Sequence, residues 1–240
     1  MSEKLLQKHQ SIPYTFFSGV IGIIPLIIAA MPFAIIYGAM AISTGLSEWQ
    51  VMGMSLFVFA GASQFIAITL LTSVTAYPII LLTVFVVNLR HILYAASLMP
   101  QITKIPHWLR APMAFWLTDE SFAIVSSRLM KTTVNFTPHY LGAAITMYVN
   151  WIVFSWVGMT LGKNIPDITK WGLDVAMIVA FIGIVIPLLK KRADWACAVT
   201  AAISALLTYG WPHQTGLLFS SLLAIMVGML VSTKQSKESL

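Results

Sequence analysis

Arg90 sits where a charge is costly. Asn88-Leu89-Arg90-His91 lies between Val84–Val87 and Ile92–Leu98, which are almost wholly apolar. The surrounding run, Tyr77–Gln101, has the length of one bilayer-crossing helix, with its midpoint near Leu89. A central Arg costs about 3 kcal/mol on insertion scales, and from that depth it cannot snorkel to water. A chain that keeps one supplies a partner for it or uses it. Thr118-Asp119-Glu120-Ser121 stands at the middle of a second apolar run, Trp108–Met130. Two carboxylates there cost about 5–7 kcal/mol. Opposite charges at one depth make Arg90 with Asp119 or Glu120 the natural pair. Ser63 and Gln64 lie just past Gly61 in the run Trp49–Ser73, and Asp174 lies near one end of Trp171–Leu189.

Joined with the family resemblance given below, these groups suit recognition of a small zwitterion. A guanidinium presents a two-pronged donor face to a carboxylate. Asp119 or Glu120 would take an ammonium or a proton, and Gln64, Asn88 and Ser63 would orient a solute by hydrogen bonds. Helical spacing divides the set. Arg90 and Tyr94 are i,i+4 neighbours and Asn88 and His91 are i,i+3 neighbours, whereas Asn88 and Arg90 point to nearly opposite sides. Some of these residues therefore hold helices together. A plain structural role competes at each: an ion pair that fixes packing for Arg90, an interhelical hydrogen bond for His91, an interfacial acid for Asp174. No spacing matches a metal motif, no nucleophile carries a local signature, and there is no phosphate-cradling loop. The expectation is no metal, no cofactor and no enzyme.

The elements that must position these residues are membrane helices. Of 240 residues, 58% are hydrophobic and 9% charged, against roughly 25% charged in soluble domains. The net charge of +6 comes from basic residues between apolar runs, not from a nucleic-acid-binding stripe. The lone Cys197 rules out an intramolecular disulfide. Eight apolar segments are expected, about Phe16–Ile42, Trp49–Ser73, Tyr77–Gln101, Trp108–Met130, Pro138–Gly162, Trp171–Leu189, Ala193–Gly210 and Trp211–Ser232. The fold class is all-α, a polytopic helix bundle forming one domain over 1–240, with tails of about 1–15 and 233–240. Some helices are expected to break at Pro25, Pro32, Pro187 or the glycines. With eight spans, nine basic residues fall on one side and four on the other, which places both termini in the cytoplasm. Seven spans is the alternative if the acidic fourth segment re-enters or lies on the surface.

A family resemblance follows from the motifs. Phe59-Ala60-Gly61-Ala62-Ser63-Gln64, then Asn88-Leu89-Arg90-His91 with Tyr94, then Thr118-Asp119-Glu120-Ser121-Phe122-Ala123, then Gly172-Leu173-Asp174, stand in an order that resembles the AzlC family. This is the large subunit of bacterial branched-chain amino acid exporters. The resemblance implies a multi-pass protein of the bacterial cytoplasmic (inner) membrane that exports valine, leucine and isoleucine, with methionine a further candidate. It also implies drive by the proton motive force and a small AzlD-type membrane subunit as partner. No ATPase and no nucleic acid enter this reading. The alternative is a passive channel or a permease for another small solute.

Overall fold

The computed structural model describes residues 11–129, 135–164, 182, 186, 189–211 and 215–238. Every regular element among them is helical: α1 (Ile12–Ser43), α2 (Glu48–Phe57), α3 (Gly61–Thr72), α4 (Tyr77–Ile102), α5 (His107–Phe115), α6 (Asp119–Leu129), α7 (Phe136–Asn164), α8 (Arg192–Leu207) and α9 (Thr215–Glu238). Three of them, α1, α4 and α7, are long and apolar enough to cross a membrane. The expected segment Trp171–Leu189, with Asp174 and Pro187, lies outside the described residues apart from 182, 186 and 189. The chain divides into two compact units, Met1–Ile68 with Val87–Trp171 and Thr69–Val86 with Gly172–Leu240.

In the second unit, α8 and α9 form an antiparallel pair. Thr208 Oγ1 lies 3.2 Å from Ser220 Oγ, and Gly228 packs on Cys197 one helix length away. The Asp194 carboxylate accepts from the backbone N–H groups of Lys190 and Lys191, which fixes the start of α8.

In the first unit, α1 starts at Ser11, whose hydroxyl accepts from the Tyr14 N–H. It then runs unbroken through Pro25 and Pro32, so the expected break at those prolines is absent. Helix α7 lies against it. A Cβ on Gly142 would collide with the Phe16 carbonyl, and one on Gly38 with the Ser155 carbonyl. The backbones touch because glycine leaves room. Phe16 meets Gly142 and Gly38 meets Ser155, so the two helices advance in the same direction.

Segments two and four are not single helices. Each is two half-helices around a three-residue break, Val58–Ala60 and Trp116–Thr118. The second break has a local cause. The Thr118 hydroxyl accepts from the Ser121 N–H, and the Ser121 hydroxyl accepts from the Thr118 N–H. That reciprocal cap, with Asp119 and Glu120 in the first turn, marks a helix start, not a midpoint. The first break holds Phe59 at φ 32°, a left-handed conformation that a bulky side chain adopts only at a forced turn.

Contacts along α7 show where each half-helix goes. Lys163, at one end of α7, is 2.5 Å from Glu48. Tyr148 donates to the Leu56 carbonyl at 2.8 Å, and the Phe59 ring sits 4.9 Å from the Tyr148 ring. Past the break, Gln64 meets Trp151, and Phe65 packs edge-on against Tyr37, a residue that also stacks on Trp151. The α2–α3 path thus descends α7 to Tyr148 and turns back. The α5–α6 path mirrors it from the other end. Met113 and Val125, one on each arm, share a core with Phe136 and Tyr140. Between them Phe115 and Trp116 reach Tyr148, at 5.8 and 6.1 Å. Helix α4 runs opposite to α7, with Asn88 at the Ser63 level and Leu98 in the Phe136–Tyr140 core.

Candidate functional site

The middle of α4 holds both breaks. Arg90 Nη1 lies 2.9 Å from Asp119 Oδ2, and the Tyr94 hydroxyl donates to Asp119 Oδ1 at 2.6 Å. One carboxylate, in the first turn of α6, is held on both oxygens by residues one α4 turn apart. The Arg90 and Asp119 side chains are 34% and 38% exposed, so the pair sits at an accessible edge rather than in a sealed core. Arg90 Nε is buried and makes no hydrogen bond. The Tyr94 ring stacks on Phe122 at 4.5 Å, fixing the phenol.

Two residues earlier on α4, the Asn88 carbonyl oxygen of the side chain accepts from the Ser63 hydroxyl at 2.8 Å. Ser63 and Gln64 are fully buried in the first turn of α3. The Trp151 indole N–H donates to Gln64 Oε1 at 2.9 Å, leaving the amide Nε2 toward Tyr37 without a well-formed hydrogen bond. A Cβ on Gly61 would strike the Trp151 ring, so this turn needs glycine.

The sequence-selected residues are therefore sorted into groups. Arg90 meets Asp119, Ser63 meets Asn88, and Gln64 is held by α7. Glu120 stands beside the Thr118 hydroxyl and makes no ion pair among the described residues. His91 Nδ1 lies 3.2 Å from the Asn88 backbone carbonyl of its own helix, so the imidazole does not bridge to another element through that nitrogen. Asp174 lies outside the described residues.

Residue types alone did not single out the aromatic junction. Phe59, Phe115, Trp116 and Tyr148 form a ring cluster with centroids 4.9–6.4 Å apart where the two breaks meet. The Trp116 indole N–H is buried there without a partner. Its sequence marker was available: aromatic residues at both breaks, and Tyr148 and Trp151 near the middle of a long apolar helix.

Residues 25–165, which include both breaks and all three polar motifs described above, match the model of the AzlC protein family. The chain belongs to the AzlC family. Among relatives, it is 27% identical over 202 residues to the inner membrane protein YgaZ of Escherichia coli, covering 80% of each chain. It is 33% identical over 197 residues to a membrane protein of Archaeoglobus fulgidus, covering 79% of this chain and 83% of that one. It is also 24% identical over 205 residues to the branched-chain amino acid transport protein AzlC of Bacillus subtilis, covering 84% of this chain and 77% of that protein. No solved structure matches the chain significantly. With its apolar helices, this AzlC-family chain is a multi-pass membrane protein.

Proposed function

We propose that this AzlC-family protein is a secondary transporter that exports branched-chain amino acids across the bacterial cytoplasmic membrane, driven by the proton motive force. One observation carries the reading. A guanidinium and a carboxylate are paired halfway along a membrane helix, with one guanidinium nitrogen, Arg90 Nε, left without a partner. A zwitterionic amino acid brings a carboxylate for Arg90 and an ammonium for Asp119. It would exchange one ion pair for two without leaving a charge uncompensated. The Phe59–Phe115–Tyr148 cluster offers an apolar wall for a short aliphatic side chain. Gln64, Ser63 and Asn88 orient the solute or its helices, and Glu120 is the carboxyl free to carry the coupling proton. The name of the Bacillus subtilis relative supports the substrate class. A small AzlD-type subunit is the expected partner.

The test is efflux of labelled valine from preloaded cells at matched membrane abundance. Arg90→Ala is expected to lower the rate at least tenfold, and Arg90→Lys to recover part of it. Efflux at the wild-type rate in Arg90→Ala would rule Arg90 out of substrate binding.

A further inference from the structure

We propose that α2–α3 and α5–α6 are re-entrant hairpins entering the membrane from opposite faces, and that their tips meet on Tyr148 as the barrier to solute passage. Neither hairpin crosses the bilayer.

Direction of run comes first. Helices α1 and α7 are parallel, and α4 is antiparallel to α7. If segment two crossed the membrane, α4 would have to run parallel to α1. It does not, so α2–α3 returns to the face from which it came. If segment four crossed, α7 would have to run parallel to α4. It does not, so α5–α6 also returns. The α7 contacts show the same reversals at residue level, with Tyr148 as the turning point from both sides.

Length agrees. The half-helices have 10, 12, 9 and 11 residues, or roughly 14–18 Å at 1.5 Å per residue, about half of a ~30 Å hydrocarbon core. Each arm reaches the midplane and no further. A break at that depth leaves backbone polar groups that lipid cannot satisfy, so the tips have to be buried in protein. Phe59, Ala60 and Leu117 are buried at the two tips, while Val58 and Phe115 remain 42% and 40% exposed.

Charge gives an independent argument. Apart from Arg90, eight basic residues flank the segments of this unit: Lys4, Lys8, Arg128 and Lys131, and Lys104, Arg110, Lys163 and Lys170. Were all segments to cross, these would divide four against four. With two re-entrant hairpins, Lys104 and Arg110 move to the α1 N-terminal face, giving six against two. Positive charge collects on the cytoplasmic side, so the second arrangement gives this unit a charge bias of its own and the first gives it none.

The result is an inverted repeat. A long helix and a hairpin (α1, α2–α3) are followed by a long helix and a hairpin (α4, α5–α6) pointing the other way. Each hairpin then guards one face, and α4 ties both to a shared centre through Asn88 and Arg90.

Two measurements test this. In a Cys197→Ser background, single cysteines at Lys104, Ser127 and Asn164 are exposed to a membrane-impermeant maleimide in right-side-out and inside-out vesicles. Lys104→Cys and Ser127→Cys are expected to label only in inside-out vesicles, and Asn164→Cys only in right-side-out ones. Labelling of Lys104→Cys and Asn164→Cys from the same face, or of Lys104→Cys and Ser127→Cys from opposite faces, would overturn the arrangement. This arm stands whatever the solute. The second arm rests on the transport reading: a Phe59→Cys/Phe115→Cys pair is bridged with a short bifunctional thiol reagent. Valine flux is expected to fall to background in the bridged pair, and to stay at the level of the untreated pair when a monofunctional thiol reagent of similar size is used instead. Full flux after complete bridging would overturn the barrier, while the labelling result would still decide the topology.

Discussion

At the scale of the residue, Asp119 is the centre. It accepts from Arg90 and Tyr94 on its two oxygens, and each contact is charge-assisted. Asp119→Asn keeps the shape but leaves Arg90 without its counter-charge. A fully buried pair broken this way costs about 3–5 kcal/mol. Partial exposure of both side chains reduces that to about 1–2 kcal/mol here. Tyr94→Phe removes one hydrogen bond to a charged group, about 1.5–3 kcal/mol before the same discount. Both variants are expected to melt at lower temperature in detergent, with Asp119→Asn also losing transport, and the double variant to fall short of the sum of the singles. Additive losses would show that the tyrosine and the arginine do not act through one carboxylate. That Arg90 pairs with Asp119 or Glu120 was legible in the sequence, because an isolated charge at that depth demands an opposite one, but the choice of Asp119 was not. That Tyr94 is the second arm was only half legible. Its i,i+4 place beside Arg90 was visible, but the hydroxyl's target depends on where α6 begins.

At the scale of the element, α1 and α7 are in direct backbone contact. The glycine contacts that bring their backbones together are spread over both lengths. Gly38→Leu puts a branched side chain into the Ser155 carbonyl and separates the pair. The expected cost is above about 3 kcal/mol, seen as loss of monodisperse protein on size exclusion. A methyl group added at Gly53 on α2 would meet nothing within 4 Å, so Gly53→Ala is expected to keep or raise the melting temperature by lowering unfolded-state freedom. Equal damage from both would show that the α1–α7 contact is not the determinant. Long helices were legible from hydropathy, but the breaks were not placed by it. Pro25 and Pro32 were the obvious breakers, yet α1 passes through them. The actual breaks, Val58–Ala60 and Trp116–Thr118, contain neither glycine nor proline. The readable clue was Thr118-Asp119-Glu120-Ser121, a helix-start pattern in what hydropathy took for mid-helix. Hydropathy measures apolar length, and a hairpin of two half-helices has the same length as one crossing.

At the scale of the whole molecule, the proposed barrier at Tyr148 favours a carrier over a pore. The breaks meet in packed rings around Tyr148, and a solute the size of valine cannot pass rings in contact without moving them. A passive pore needs a standing path; an inverted repeat of hairpins needs only that one tip move while the other holds. Flux should therefore saturate with substrate and follow a second gradient. In proteoliposomes holding the protein with the proposed AzlD-type subunit, an imposed proton gradient is expected to drive labelled valine against its own gradient. A protonophore should abolish the accumulation but leave slow equilibration. Glu120→Gln, which removes a carboxyl outside the Arg90–Asp119 pair, is expected to keep that equilibration and lose the accumulation. Flux that never saturates, and that a protonophore leaves unchanged, would identify a channel instead. Accumulation intact in Glu120→Gln would move the coupling proton to another group and leave the carrier standing.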